Sequence, residues 1–99
     1  MERGGCVYIM SNYKRTVLYT GVSSDLLLRV KEHKSSFYPK SFTSRYKCFF
    51  LVYYEVFGSI EEAIAKEKEI KGWKRFKKDT LIKSMNPDLR DLYDEIKNW

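Results

Sequence analysis

Two short runs, residues 5–11 and 17–22, are rich in Val, Ile, Leu and Tyr and flank the polar tetrad Asn12-Tyr13-Lys14-Arg15. That pattern predicts a β-hairpin. Residues 48–57 (CFFLVYYEVF) are almost continuously apolar and aromatic, as expected of a strand covered on both faces, and so of the central strand of a sheet. Between the hairpin and this run the apolar period lengthens to that of a helix. Leu26, Leu27 and Val30 form one stripe, and Arg29 and His33, four positions apart, lie along its edge. Ser23 or Ser24 is expected to cap this helix, with Asp25 in the first turn at the positive end of the dipole and an end near Lys34.

Ser59-Ile60-Glu61-Glu62 reads as a capping box opening a second helix, with Gly72 as its stop. Ile60, Ala63, Ile64 and Ile70 make its inner face, and Glu67 falls in the middle of that stripe. A carboxylate there is costly unless a cation or several donors compensate it. A short helical stretch follows to Ser84, Asn86-Pro87 forces an extended turn, and Leu89, Leu92, Tyr93 and Ile96 return at helical spacing as a packing helix. The predicted order is β-β-α-β-α-α. This is an α/β or, more strictly, α+β fold with a three-stranded sheet flanked by helices, and the 99 residues suit one domain over 1–99.

Composition narrows the partners. Lys plus Arg number 19 against 13 Asp plus Glu, a net +6 that favours a polyanion through phosphate contacts and released counterions. Lys66, Lys68, Lys71, Lys74, Arg75, Lys77 and Lys78 crowd one segment, with Trp73 and Phe76 interleaved and able to stack on unpaired bases. A solvated helix face is the plainer reading of such a run. The loop 35–47, with Tyr38, Lys40, Arg45 and Tyr46, is a second basic and aromatic candidate. No run of about 20 apolar residues suggests a membrane span and no signal-peptide pattern opens the chain, so a cytoplasmic monomer is expected. Cys6 and Cys48 lack metal-ligand spacing and are expected as reduced, buried thiols.

Glu67, Arg29, Tyr8, Tyr19 and His33 supply the residue types that metal-assisted phosphodiester hydrolysis needs: an anionic ligand, a phosphate clamp and groups that handle the water's proton. Each also has an ordinary structural reading. The tyrosines could be strand aromatics, His33 a hydrogen-bonded helix residue, and Arg29 the partner of Glu67 in a buried ion pair.

Their spacing resembles that of the GIY-YIG nuclease family. Cys6-Val7-Tyr8 ends in Tyr, ten residues intervene before Tyr19-Thr20-Gly21, and Arg29 stands ten positions after Tyr19. His33 follows Arg29 by four, Ala63-Ile64-Ala65-Lys66-Glu67-Lys68 is similar to the family's Ala-to-Glu-Lys pattern after the last strand, and Asn86 precedes Pro87. The likeness runs from about Gly5 to Tyr93. It departs at Cys6-Val7 for Gly-Ile, at Thr20 for Ile, and at Leu28, where some relatives carry Lys. The resemblance implies an endonuclease, a hydrolase acting on nucleic acid with DNA foremost, in a repair, recombination or structure-specific setting. It implies Tyr8 as base toward water, Tyr19 and His33 orienting it, Arg29 at the phosphate, Glu67 holding Mg²⁺ or Mn²⁺, and Asn86 in support. Lys40, Arg45, Lys74, Arg75, Lys77 and Lys78 are the expected contacts to the nucleic-acid backbone. The alternatives are a module that binds nucleic acid without cutting it, and a structural domain.

Overall fold

A computed structural model describes residues 4–99. The hairpin forms as β1 (Gly5–Ser11) and β2 (Leu18–Ser23), antiparallel, with Tyr8 opposite Gly21 and Met10 opposite Tyr19. Its turn is held by Asn12, whose side-chain oxygen accepts from the backbone N–H of Thr16 at 2.9 Å and of Val17 at 3.0 Å. Arg15 takes the positive φ of 61° there and sends its guanidinium to the carbonyl of Leu89.

The sheet order is β2-β1-β3, with β3 at Phe50–Phe57. The central strand is therefore β1, buried along its whole length, and not β3 as the apolar run suggested. The reason lies in the tail. Leu92 donates its N–H to the carbonyl of Leu51 at 2.7 Å, Asp91 Oδ1 accepts from Leu51 N at 3.1 Å, and the Asn86 amide donates to the carbonyl of Val52 at 3.1 Å. The outer edge of β3 is thus closed by the segment 86–92, which permits a nearly apolar strand at a sheet margin.

Helix α1 (Leu26–Lys34) packs on the face that carries Cys6, Tyr8 and Met10, with Leu26 and Val30 against Leu51, Leu92 and Ile96. Its N-cap is Asp25 and neither Ser23 nor Ser24 as expected: the Asp25 carboxylate accepts from Leu28 N at 3.1 Å, and the hydroxyl of Ser23 accepts instead from the N–H of Asp25. A one-turn helix absent from the predicted order, α2 (Phe42–Arg45), interrupts the loop before β3.

The opposite face, Val7 and Ile9, is covered by α3 (Ile60–Lys71) and α4 (Arg75–Met85) through Ile70 and Ile82. Ser59 caps α3 by accepting from Glu62 N, and Gly5 is where the helix comes closest: a Cβ there would lie 2.7 Å from that of Ala63. Gly72 ends α3 in the ordinary right-handed region, φ −81°. The last helix, α5 (Tyr93–Ile96), is shorter than the spacing from Leu89 suggested, because Leu89 takes φ 53° and bends the chain out of helical geometry. The order is therefore β-β-α-α-β-α-α-α in an α+β domain, and both thiols, Cys6 and Cys48, are free and buried.

Candidate active site

Tyr8 sits at the middle of β1 with its ring laid over Gly21 on the neighbouring strand. A Cβ at Gly21 would come within 2.6 Å of both Cζ and the hydroxyl of Tyr8 and within 2.9 Å of the Tyr19 ring. The glycine of the second triplet is thus the space the first tyrosine occupies. Antiparallel register sends Tyr8 and Tyr19 to the same face, their ring centroids 6.3 Å apart.

From α1, one turn after Arg29, the buried His33 reaches both tyrosines. Its Nε2 is 2.8 Å from the Tyr8 hydroxyl, and its ring lies 5.6 Å from that of Tyr19. Its Nδ1 is 2.8 Å from Oγ1 of Thr43, the one buried residue of α2. The Thr43 hydroxyl in turn meets that of Ser41, the α2 N-cap, at 3.2 Å. A phenol is a stronger donor than an aliphatic alcohol, which assigns the tautomer: Tyr8 donates to Nε2, and Nδ1–H donates to Thr43.

Electrostatics keep this chain of groups neutral. Burial, aided by the Arg29 cation, lowers His33 from 6.5 to about 4. Burial also raises the Tyr8 phenol well above its usual range, the neighbouring Tyr19 adds to this, and Arg29 opposes it. Arg29 donates to Glu32 at 2.9 Å, and its guanidinium stands 5.9 Å from the centre of the Tyr38 ring. Burial disfavours the Arg29 charge, but Glu32 and the Tyr8 hydroxyl more than offset this. Two buried groups, Tyr8 and His33, are therefore flanked by the partly exposed Tyr19 and Arg29.

The structure brings Tyr8, Tyr19, Arg29 and His33 together. Among the described residues no hydrogen bond or ion pair links Glu67 to them. Helix α3 lies across the sheet from that cluster, and the Glu67 carboxylate, largely covered, pairs with Lys71 at 3.2 Å. Arg29 and Glu67 consequently do not neutralise one another, since each has a partner on its own helix. Both α1 and α3 touch the edge strand β2, so the two halves share that margin. Asn86 is buried away from the cluster and staples the chain: its amide donates to Val52 and Arg90 carbonyls and its oxygen accepts from Arg90 N.

The basic residues divide. Lys40, Arg45, Lys74 and Lys77 are exposed, and Lys78 is partly so. Arg75 is committed to the fold, with bonds to the carbonyls of Arg15 and Thr16 and to Asp79. Trp73 has Lys66 at 5.3 Å and Lys77 at 4.3 Å from its ring centre and packs on the core, so its faces are not open for bases; Phe76 remains largely exposed. Sequence reasoning passed over two members of the site. Glu32 was visible at helical spacing from Arg29, whereas nothing in the string tied Thr43 to His33.

Residues 4–79 match the family model described as the GIY-YIG catalytic domain. The chain is similar to a UPF0213 protein of Bacillus pumilus (strain SAFR-032), 32% identical over 80 residues and 81% of each chain. It is also similar to the UPF0213 protein of Bacillus halodurans solved by NMR in solution, with a TM-score of 0.55 and 32% identity over 85% of this chain and 87% of that one.

Proposed function

The chain belongs to the GIY-YIG catalytic domain family, a nuclease-type fold, and on that premise we propose that it is a divalent-metal-dependent endonuclease that hydrolyses phosphodiester bonds in DNA. The observation that carries this reading is the Tyr8–His33–Thr43 chain beside a guanidinium. A tyrosine whose hydroxyl is bonded to a desolvated, neutral imidazole can take a proton from water only if it passes its own proton on. His33 is the acceptor: water gives a proton to Tyr8 as Tyr8 gives its proton to Nε2, and Nδ1–H stays on Thr43. The hydroxide left behind forms the new P–O bond as the leaving oxygen departs.

Arg29 contributes to when this happens. Burial lowers the basicity of His33, and the Arg29 charge adds to this. A phosphate seated on Arg29 cancels that influence, so the imidazole gains basicity when substrate is bound. The Tyr8 hydroxyl is covered in this structure.

For the metal, the donor set decides what fits. Among the described residues no three of His, Cys, Asp and Glu gather into a cage of the kind that holds a structural ion. One carboxylate, Glu67, fits Mg²⁺ or Mn²⁺ that keeps most of its water and shares substrate oxygens. Such an ion supplies Lewis-acid polarisation of the phosphoryl group when bound. Because Glu67 and Arg29 belong to helices on opposite faces, a strand touching both lies across the β2 margin.

The test is cleavage of end-labelled DNA across a Mg²⁺ and Mn²⁺ titration by the wild type and Glu67→Gln. Loss of metal response in the variant, with DNA binding in chelator unchanged, supports the reading. Undiminished cleavage by Glu67→Gln refutes Glu67 as the ligand, and binding without cleavage by the wild type favours the non-cleaving module.

A further inference from the structure

Helix α2 is built inside out. Its polar Thr43 is 1% exposed, while Phe42 and Tyr46, four apart and so on one side, are 43% and 47% exposed. Presenting Thr43 to His33 turns the helix so that both rings face solvent. Their centroids lie 4.6 Å apart, and Phe42 is 5.9 Å from the Tyr19 ring, which is itself 5.6 Å from His33. An aromatic track thus leads outward from the active-site cluster. Just before it, Phe37 and Tyr38 form a second exposed pair at 4.9 Å, with Tyr38 near Arg29.

Exposed rings in this number mark a binding surface and not a packing accident. Their setting says for what. Residues 34–47 contain Lys34, Lys40, Arg45 and Lys47 and no Asp or Glu. Lys34 is bound to Asp91, but Lys40, Arg45 and Lys47 stand in no ion pair among the described residues, and Arg45 lies 5.9 Å from the Tyr46 ring centre. Flat apolar rings interleaved with free cations complement a chain of flat bases on a polyanionic backbone. The base faces are open to such rings only where they are not stacked in a duplex.

We propose that Phe42 and Tyr46, extended by Phe37 and Tyr38, form a shelf on which unpaired bases of single-stranded DNA stack next to the scissile phosphate. The proposal deepens the nuclease reading and rests on it for the identity of the polymer. It makes the substrate single-stranded or locally unpaired at the cleavage point.

The experiment measures fluorescence anisotropy in chelator, where nothing is cut, with a labelled oligothymidylate and a labelled duplex hairpin. Phe42→Leu and Tyr46→Leu keep apolar bulk and remove the π-face; Phe42→Tyr keeps the ring. The single strand should bind about tenfold more weakly to each leucine variant. Duplex affinity should stay as it is, and Phe42→Tyr should match the wild type. An unchanged His33 NMR signal in each variant certifies that α2 still folds. Leucine variants that bind the single strand like the wild type overturn the shelf, as does equal loss on the duplex or a wild type that binds no single strand. Metal added afterwards separates the two readings. Ring-dependent binding without cleavage leaves the shelf and removes the nuclease; cleavage indifferent to both rings does the reverse.

Discussion

His33 is the only histidine in the chain, so its protonation can be isolated from every other group. Burial, reinforced by Arg29, sets it at about 4 in the folded protein against 6.5 for an ordinary histidine. Between those values the unfolded chain carries a proton there that the folded chain does not, so stability rises with pH across this window and is lost as pH falls from about 6.5 to 4. A gap of about 2.5 pH units at about 1.36 kcal/mol each amounts to about 3 kcal/mol. In a chain of this size that is more than about ten degrees of melting temperature. His33→Gln removes the titrating group while leaving the carboxylates alone. Urea unfolding of wild type and variant from pH 7 to pH 4 should therefore yield a stability difference that shrinks by about 3 kcal/mol as the solution is acidified. An NMR titration of the His33 ring reads the same quantity directly. A midpoint near 6.5, together with a pH-independent difference, would show that the ring is hydrated and that the neutral Tyr8–His33–Thr43 chain does not exist.

Gly21→Ala should force the Tyr8 ring aside, since its Cβ would lie 2.6 Å from the phenol carbon and oxygen; about 1–3 kcal/mol of stability and the native His33 NMR shift should be lost together, and a variant with both intact contradicts the packing. The two kinds of basic residue should part company. Arg75→Ala, which frees the hairpin carbonyls, should lower unfolding free energy by about 1 kcal/mol, whereas Lys78→Ala should leave stability alone and reduce the salt slope of DNA binding by about one. The reverse assignment in thermal melts and salt titrations would refute that division. Burial pushes the Cys6 thiol up to about 12, so it should ignore a thiol-specific reagent at pH 8 until the chain is unfolded; rapid reaction in the native state would show the β1 core to be open.

The hairpin, the inner stripe of α1 and the Arg29–His33 edge were legible because each depends on period and spacing alone. Period also placed Glu67 on the inner side of α3, but period cannot say which side of a sheet a helix crosses; the chain connection after β3 decided that. β3 read as central because an apolar run records only that both faces are covered. Its margin is covered by the segment 86–92, through the backbone of Leu92 and the side chains of Asp91 and Asn86, contacts between residues some forty positions apart in the chain. Thr43 was hidden for a related reason. Its partner lies on another element, and its neighbours Phe42 and Tyr46 made the segment look like an irregular loop with stray aromatics, where the fold uses a single turn of helix to aim one hydroxyl at His33. The N-cap of α1 was placed at Ser23 or Ser24 with Asp25 inside the first turn, because all three carry an acceptor and spacing does not separate them; the backbone makes Asp25 the cap.

The central claim is that the tyrosine, histidine and arginine cluster performs hydrolysis on a phosphate held by Arg29. Single-turnover cleavage of end-labelled DNA at saturating protein, with Mg²⁺ or Mn²⁺, tests it with one variant. Arg29→Ala should bind the substrate within a small factor of the wild type and cut it roughly 10²–10³ times more slowly, as loss of a transition-state donor does. An Arg29→Ala protein that cuts at the wild-type rate once saturated, or a wild type that binds DNA and leaves it intact with either metal, contradicts the account.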